Sequence, residues 1–357
     1  MIPPGETIGI LGGGQLGRML AMAAAQLGYR CHIYAPEPDS IAAEVCAAFT
    51  CAAWDDAAAM ARFAADCAVV TYEFENVPVG PLAALGDVPL LPHPRALETA
   101  QDRLSEKRFV EQLGGKPAPY AAVDTADDLD RALTTIGSPG ILKTRRDGYD
   151  GKGQWRIMAD HDAEGIALSG EPLVFEGLVH FTAEFSVILC RGGDGMIAFW
   201  DSAENVHVGG ILASSTVPAS LAVQAQIPEA RDLAAKVAQA LDYTGVLTLE
   251  FFATHDGPVF NEMAPRVHNS GHWTIEGALT SQFENHIRAI CGLPLGATDL
   301  AANRVQMRNI IGSNKNGWAA EDWDKILSDP ANHLHLYGKA AARPGRKMGH
   351  VTRLEFT

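Results

Sequence analysis

Short runs of β-branched and aliphatic residues alternate with helical stretches through the first part of the chain. Thr7–Leu11 reads as a buried strand, 15–27 as an alanine-rich helix ending at Gly28, and 30–34 as a second strand. This order predicts the βαβ opening of a parallel sheet, with 67–72 as a further strand. Pro89, Pro92 and Pro94 mark a stiff connection, a helix follows over 102–113, and 116–119 is a linker. Gly140–Thr144 and 173–179 are apolar runs interrupted by Lys143 and Glu176. Strands are expected over 185–190 and 196–200, joined by the turn 192–195, with Asn205 and His207 in a polar connection before Ile211. The helix 228–243 carries Leu233, Val237, Ala240 and Leu241 on its apolar face. It leads into 245–253, a turn at His255-Asp256-Gly257 and a return over 258–263, with a helix over 274–290 beyond.

That hairpin carries the first chemical signal. A turn centred on Asp256 places Glu250 and Glu262, each six residues away, opposite each other. At ~5 Å and an effective dielectric of ~20 two such charges repel by about 3 kcal/mol. A divalent cation relieves this, and Mg²⁺ suits the pair because it takes one or two carboxylates and completes its shell with phosphate oxygens and water. A slip of one residue would put the glutamates on opposite faces and leave no site.

Composition narrows the partners. The 357 residues suffice for two or three domains, and 47% hydrophobic with 20% charged residues is ordinary for a globular protein. A net charge of −15 opposes non-specific binding to nucleic acid or anionic membrane. The six cysteines show no CxxC spacing, which suits reduced thiols. No run approaches a membrane span and the N-terminus has no basic leader, so a cytoplasmic protein is expected.

Several residues are then candidates for anion binding. Gly12, Gly14 and Gly17 match G-x-G-x-x-G, and the helix behind them can offer free N–H groups to a phosphate. A dinucleotide would also need an acidic residue near Glu37 or Asp39, and Gln15 and Arg18 suit a single phosphate better. Glu73, at the carboxyl end of a parallel strand, could take ribose hydroxyls or simply cap a turn before Pro78. Arg103 and Lys107 lie four apart on one helix face, as solvent-exposed cations do. Lys143 needs an anionic partner inside its strand, and the glycine-rich 145–153 beside it reads as a flap that closes on phosphates. A strand edge near Glu176 could give its backbone to an adenine ring while Glu184 takes ribose hydroxyls. Arg266, His268 and Asn269 crowd a turn beside the glutamates. The cations between Arg343 and His350 are expected on a loop that can fork around an anion.

In order along the chain, GGGQLGRM, TYEFENVP, QDRLSEK, LKTRRDGYDGKGQWR, FEG, EFSV, LEFF, NEMAPRVHNSGHWT, SQFE and RPGRKMGH resemble the ATP-grasp superfamily. Within it they look like the family that carboxylates 5-aminoimidazole ribonucleotide in purine biosynthesis. The resemblance implies an ATP-grasp fold, mixing α/β and α+β parts. It has a Rossmann-like N-terminal domain (1–101), a linker helix with a small lid domain (102–183) and a C-terminal mixed-sheet domain (184–357). It implies ATP and Mg²⁺ as cofactors, bicarbonate as co-substrate, and a homodimer. For ATP it implies Arg103, Lys143, Gly148, Gly151, Gly153, Glu176 with the backbone to Val179, Glu184, His207 and Asn261; for Mg²⁺, Glu250 and Glu262. The nucleotide substrate would meet Gln15, Leu16, Glu73, Tyr149, Asp150, Lys152, Arg346 and Lys347. Arg266, His268, Asn269 and Lys347 would face the reacting groups, with His268 moving a proton or orienting a hydrogen bond. Relatives often carry a further C-terminal segment, whereas this chain stops seven residues after His350.

Three other readings make different use of the same residues. A sibling ATP-grasp ligase, such as a formate-dependent glycinamide ribonucleotide transformylase, would share the ATP site but not RVHNSGHW. A nicotinamide oxidoreductase would rest on Gly12, Gly14 and Gly17 alone. A regulator that has lost catalysis would not need Lys143, Glu250 and Glu262 intact.

Overall fold

A computed structural model describes residues 1–148, 153–160, 162, 166, 170–312 and 323–356. Its first sheet comprises β1 (Thr7–Leu11), β2 (Arg30–Ala35), β3 (Ala48–Cys51) and β4 (Val69–Tyr72), all parallel, in the order β3-β2-β1-β4. Ile8, Ile10 and Leu11 are fully buried, as the central strand of such a sheet requires. The helix Gln15–Gln26 follows β1 and packs against helix Gln282–Ile290 from the far end of the chain.

A second, antiparallel sheet contains β5 (Tyr120–Val123), β6 (Gly140–Thr144), β7 (Gln154–Ile157) and β8 (Leu173–Gly177), in the order β5-β8-β6-β7. It closes its own small core around Val123, Leu142, Ile157 and Phe175 under helix Ala126–Ile136. The helix Arg103–Gln112, grouped above with this unit, instead buries Val110 in the core of the third sheet. β8 is central, not an edge: β5 and β6 flank it, so its backbone becomes available only beyond Leu178, whose N–H reaches Pro139 O at 3.0 Å.

The third sheet collects β9 (Ala183–Arg191), β10 (Ile197–Phe199), β11 (Ala203–Val208), β12 (Ile211–Val217), β13 (Gly245–Thr254), β14 (Gly257–Ala264), β15 (Arg304–Ile311), β16 (Asn332–Leu336) and β17 (Lys347–Glu355). Its order is β14-β13-β9-β11-β12-β15-β17-β16, with β10 beside β9. Asn205 and His207 therefore lie on a strand, not in a connection, because β11 pairs with β9 and β12. The expected basic loop is also shorter: β17 begins at Lys347, and His350 is fully buried within it. The helix expected over 274–290 is broken into Thr274–Gly277 and Gln282–Ile290, with Ala278 extended between them.

One imidazole joins the first and third sheets. His286 Nδ1 accepts the N–H of Val246 at 3.1 Å, and its Nε2 lies 2.8 Å from Thr71 Oγ1 on β4. Burial holds its pKa down at about 3, so it stays neutral and Nε2–H donates to Thr71.

Candidate functional site

The hairpin does place Glu250 opposite Glu262, by a different route from the expected one. The turn is one residue shorter: Thr254 pairs with Gly257, leaving His255 and Asp256 as a two-residue loop. From there to Phe251 and Phe260 the register is one residue off. A bulge between Glu250 and Phe251 then leaves Asn261 unpaired and restores the opposition. Glu250 is buried and Glu262 exposed, so solvent screens the pair more than an estimate at uniform dielectric allows. Burial, reinforced by the Glu262 charge, pushes Glu250 up to about 7.

Both carboxylates line a cavity of about 590 Å³ between the third sheet and the small sheet. Lys143 enters it from β6 and Arg103 from the head of its helix, where Nη2 donates to Gly148 O at 2.8 Å. Glu184 on β9 and His207 on β11 meet at 2.8 Å on its floor. Burial disfavours the His207 cation, yet Glu184 and the Glu250 and Glu262 charges outweigh it and raise its pKa. The backbone beyond Glu176 reaches the cavity through Val179, while Asn261, Arg266, His268 and Lys347 complete the wall.

Other expected residues are engaged elsewhere. The Glu73 carboxylate sits on the glycine-rich turn itself, accepting the N–H of Gly14 at 2.8 Å and of Gly17 at 3.2 Å. It fills the seat at the helix N-terminus where a pyrophosphate would lie. A Cβ at Gly12 or Gly14 would come 2.6 or 2.8 Å from Glu73 Oε1, so these glycines accommodate a carboxylate, not a dinucleotide. Gln15 Oε1 accepts from Lys339 Nζ, and Arg18 is held by Glu44 and Ile41 O. Asn269 faces away from the cavity, in a reciprocal amide pair with Asn309 (3.1 and 2.6 Å). Leu16 is buried in the core, and Gly153 O accepts the N–H of Thr144 at 2.9 Å. Arg346 Nη1 donates to Ala341 O at 2.7 Å, and Arg346 does not line the cavity. Tyr149, Asp150, Gly151 and Lys152 lie outside the described residues.

Lys107 overturns the solvent-exposed reading. It is 1% exposed and reaches Glu176 Oε1 at 3.2 Å, while Lys143 reaches Oε2 at 2.9 Å. Burial raises the Glu176 pKa, but the two ammoniums outweigh it and hold the carboxyl below its usual range. The Glu176 side chain is thus committed to lysines, and Gly177, Leu178 and Val179 after it line the cavity. Glu106 was also missed. Its Oε1 accepts the N–H of Met263 at 2.7 Å, and burial raises its pKa to about 8. Glu75 pairs with Arg266 Nη2, and Phe181 stacks on Phe252 at 4.6 Å in the cavity wall. Only the FF doublet after Glu250 offered a signal: Phe252 is two residues from Glu250 along the strand.

His268 is the most constrained of the expected residues. Its Nδ1 accepts the Ser270 N–H at 3.3 Å and lies 2.8 Å from Ser270 Oγ, so the neutral ring carries its proton on Nε2, 3.5 Å from Glu250 Oε1. Burial and the charges of Arg266 and Lys347 press its pKa well below the ordinary value. Titration near neutrality, expected from residue type, is therefore removed, and the ring presents a hydrogen-bond donor.

A lysine pair meeting on the glutamate of a central strand, opposed carboxylates and an open nucleotide-sized cavity are the parts of an ATP site, and the comparisons agree. The ATP-grasp domain matches residues 108–283, the ribonucleotide synthetase preATP-grasp domain 5–101, and the phosphoribosylaminoimidazole carboxylase C-terminal domain 306–356. An N5-carboxyaminoimidazole ribonucleotide synthase of Brucella melitensis is 50% identical over 360 residues, covering 99% of this chain and 98% of that protein. The chain belongs to the N5-carboxyaminoimidazole ribonucleotide synthase family. The family's structure from Thermus thermophilus superposes with a TM-score of 0.91 at 47% identity, covering 98% of this chain and 94% of that chain. The Aspergillus clavatus synthase, solved with ADP and 5-aminoimidazole ribonucleotide, gives 0.90 at 32% identity, covering 99% of this chain and 94% of that chain. The protein is an ATP-grasp ligase of purine biosynthesis.

Proposed function

We propose that this chain carboxylates the exocyclic amine of 5-aminoimidazole ribonucleotide at the expense of ATP and bicarbonate. The observation that carries the reading is the meeting in one cavity of Glu250, Glu262 and Lys143 with the turn bearing Arg266 and His268. ATP lies with its base against the backbone from Glu176 to Val179 and the Phe181–Phe252 stack, its ribose at Glu184 beside His207, and its phosphates toward Arg103 and Lys143. Gly148 lines the cavity beside Arg103 and Lys143, where its backbone would meet those phosphates.

Glu250 and Glu262 fit Mg²⁺. Among the described residues no three His, Cys, Asp or Glu side chains converge on a metal-sized site, so two carboxylates leave the rest of an octahedron to phosphate oxygens and water. When bound there, the ion would neutralise part of the negative charge that develops during phosphoryl transfer.

A bicarbonate oxygen attacks the γ-phosphorus, the bond to the β,γ-bridging oxygen breaks, and ADP and carboxyphosphate form. Arg266, braced by Glu75, offers its remaining N–H groups to the carboxylate, and His268 donates from Nε2. The amine then forms its bond to the carboxyl carbon of carboxyphosphate, or of CO₂ released from it. Phosphate departs and the amine loses a proton. The closed lid keeps water from the intermediate. Lys347, Gln15, Tyr149, Asp150 and Lys152 are the proposed contacts of the nucleotide substrate, and buried Leu16 and Arg346, which lies off the cavity, are not. Gln15 must leave Lys339 to touch it, whereas Glu73 stays on the Gly14 and Gly17 N–H groups and shapes the turn beside it. Asn269, paired with buried Asn309 away from the cavity, has no contact with the reactants in this reading.

A homodimer in the cytoplasm completes the reading. The six free cysteines suit a reducing compartment, and the homodimer rests on the family resemblance alone. The decisive assay measures ADP release with bicarbonate and aminoimidazole ribonucleotide supplied singly and together. Coupled turnover requires both. ADP formed with formate but not bicarbonate would assign the sibling transformylase chemistry, and NADH binding without ATP binding would end the ATP-grasp reading.

A further inference from the structure

We infer that Gln282 is the positioning residue that aims the His268 imidazole into the cavity. The inference rests on the reading of His268 as a group facing the reactants. His268 is extended (φ −128°, ψ 152°) at the start of an irregular turn, with no strand beside it to pair its peptide groups. Gln282 supplies that partner. Its Oε1 accepts the His268 N–H at 2.9 Å, and its Nε2 donates to His268 O at 2.7 Å. One primary amide thus matches one residue's donor and acceptor, as a neighbouring strand would.

The clamp is itself fixed. Gln282 is fully buried in the first turn of helix Gln282–Ile290, and its own N–H is held by Thr274 Oγ1 at 3.0 Å. Thr274 Oγ1 in turn donates to Gly271 O at 2.7 Å. Gly271 has to be bare, because a Cβ there would stand 2.8 Å from the Gln282 amide carbon and oxygen. The same helix pins a second segment in the same way one turn later: Asn285 accepts the Gly296 N–H at 2.7 Å and donates to Gly296 O at 3.1 Å. With its backbone clamped by Gln282 and Nδ1 held by Ser270, the His268 ring has one direction left for Nε2, toward Glu250. Gln282 does not line the cavity, and neither does its other side-chain neighbour, His272, whose Nδ1 lies 3.4 Å from Gln282 Nε2, so its route to the cavity is through His268.

The test is a double-mutant cycle on the full-length enzyme with ATP, bicarbonate and aminoimidazole ribonucleotide. Gln282→Met keeps the volume and removes both bonds to His268, together with the 3.4 Å contact to His272 Nδ1, which the His268→Ala background controls for. It should lower kcat by roughly 10- to 100-fold while KM for ATP stays within about twofold. In a His268→Ala background the same change should lower kcat no further. Should Gln282→Met prove unstable, Gln282→Glu keeps the shape and the acceptor, loses the donor, and should give a smaller kcat loss with the same non-additivity. Equal losses of kcat in both backgrounds would overturn the positioning role, as would a kcat unchanged by Gln282→Met while His268→Ala is impaired. A His268→Ala enzyme with normal kcat would instead remove the underlying reading of His268.

Discussion

Glu250 and Glu262 face each other across a hairpin whose turn alone would have misaligned them, and the unpaired Asn261 corrects the register. The pair is stabilised only when something positive lies between the carboxylates. Glu262→Gln should abolish Mg²⁺-dependent ADP formation while leaving the fold intact. Without metal the variant should be slightly more stable than wild type, by under about 1 kcal/mol, since Glu262 is exposed. Thermal unfolding with and without Mg²⁺·ADP reads both effects, and near-normal turnover would refute the metal role.

The buried lysine pair predicts a stability effect of the opposite sign. Glu176→Gln leaves Lys107 and Lys143 facing each other without a counter-charge and should cost about 3–5 kcal/mol. Replacing Lys107 by Met in the same protein should return part of this. Because the Glu176 pKa is depressed on folding, its contribution is present above the unfolded carboxylate pKa of about 4.3 and is lost as pH falls through the lower folded value. The gap between wild type and Glu176→Gln in denaturant unfolding should therefore narrow in acid.

Gly14→Ala would bring a methyl group 2.8 Å from Glu73 Oε1 and should destabilise the first sheet by about 1–3 kcal/mol. In a Glu73→Ala background most of that loss should disappear. Wild type should show no NADH binding by fluorescence, because its own carboxylate takes the N–H groups a pyrophosphate needs.

Phe252→Ala removes one face of the stack beside Glu184. Loss of base stacking is worth about 1–3 kcal/mol, so KM for ATP should rise about five- to a hundredfold with little change in kcat. A kcat loss with unchanged KM would place the ring outside the base site.

The sequence made visible whatever depends on local pattern: the βαβ opening, the Lys143 strand and the opposition of Glu250 and Glu262. That opposition was inferred from a turn one residue too long and a ladder without a bulge, two errors that cancel, since a bulge at Asn261 leaves no periodic signature. What stayed hidden depends on packing between distant segments. Lys107 looks like a surface cation until Glu176, far along the chain, is brought against it. Glu73 looks like a ribose ligand until β4 is laid beside β1 and its carboxylate meets the glycines. Asn269 reads as part of a reactive turn, and only β15 beside it reveals the amide of Asn309. No spacing rule reports that Gln282 serves His268, because the two belong to different elements that meet only in the fold.

The His286 clasp has a mechanical consequence. Because one neutral ring ties β4 to β13, the sheet that carries Glu73 and the hairpin that carries Glu250 and Glu262 are braced as a single frame. The small sheet is joined to that frame through the 116–119 segment, whose Lys116 O accepts the Phe260 N–H at 2.8 Å beside the bulge, and through the buried Lys107–Glu176 pair. The nucleotide-sized cavity thus lies between this braced frame and a sheet joined to it by separate contacts, one of them on the strand that holds Glu262.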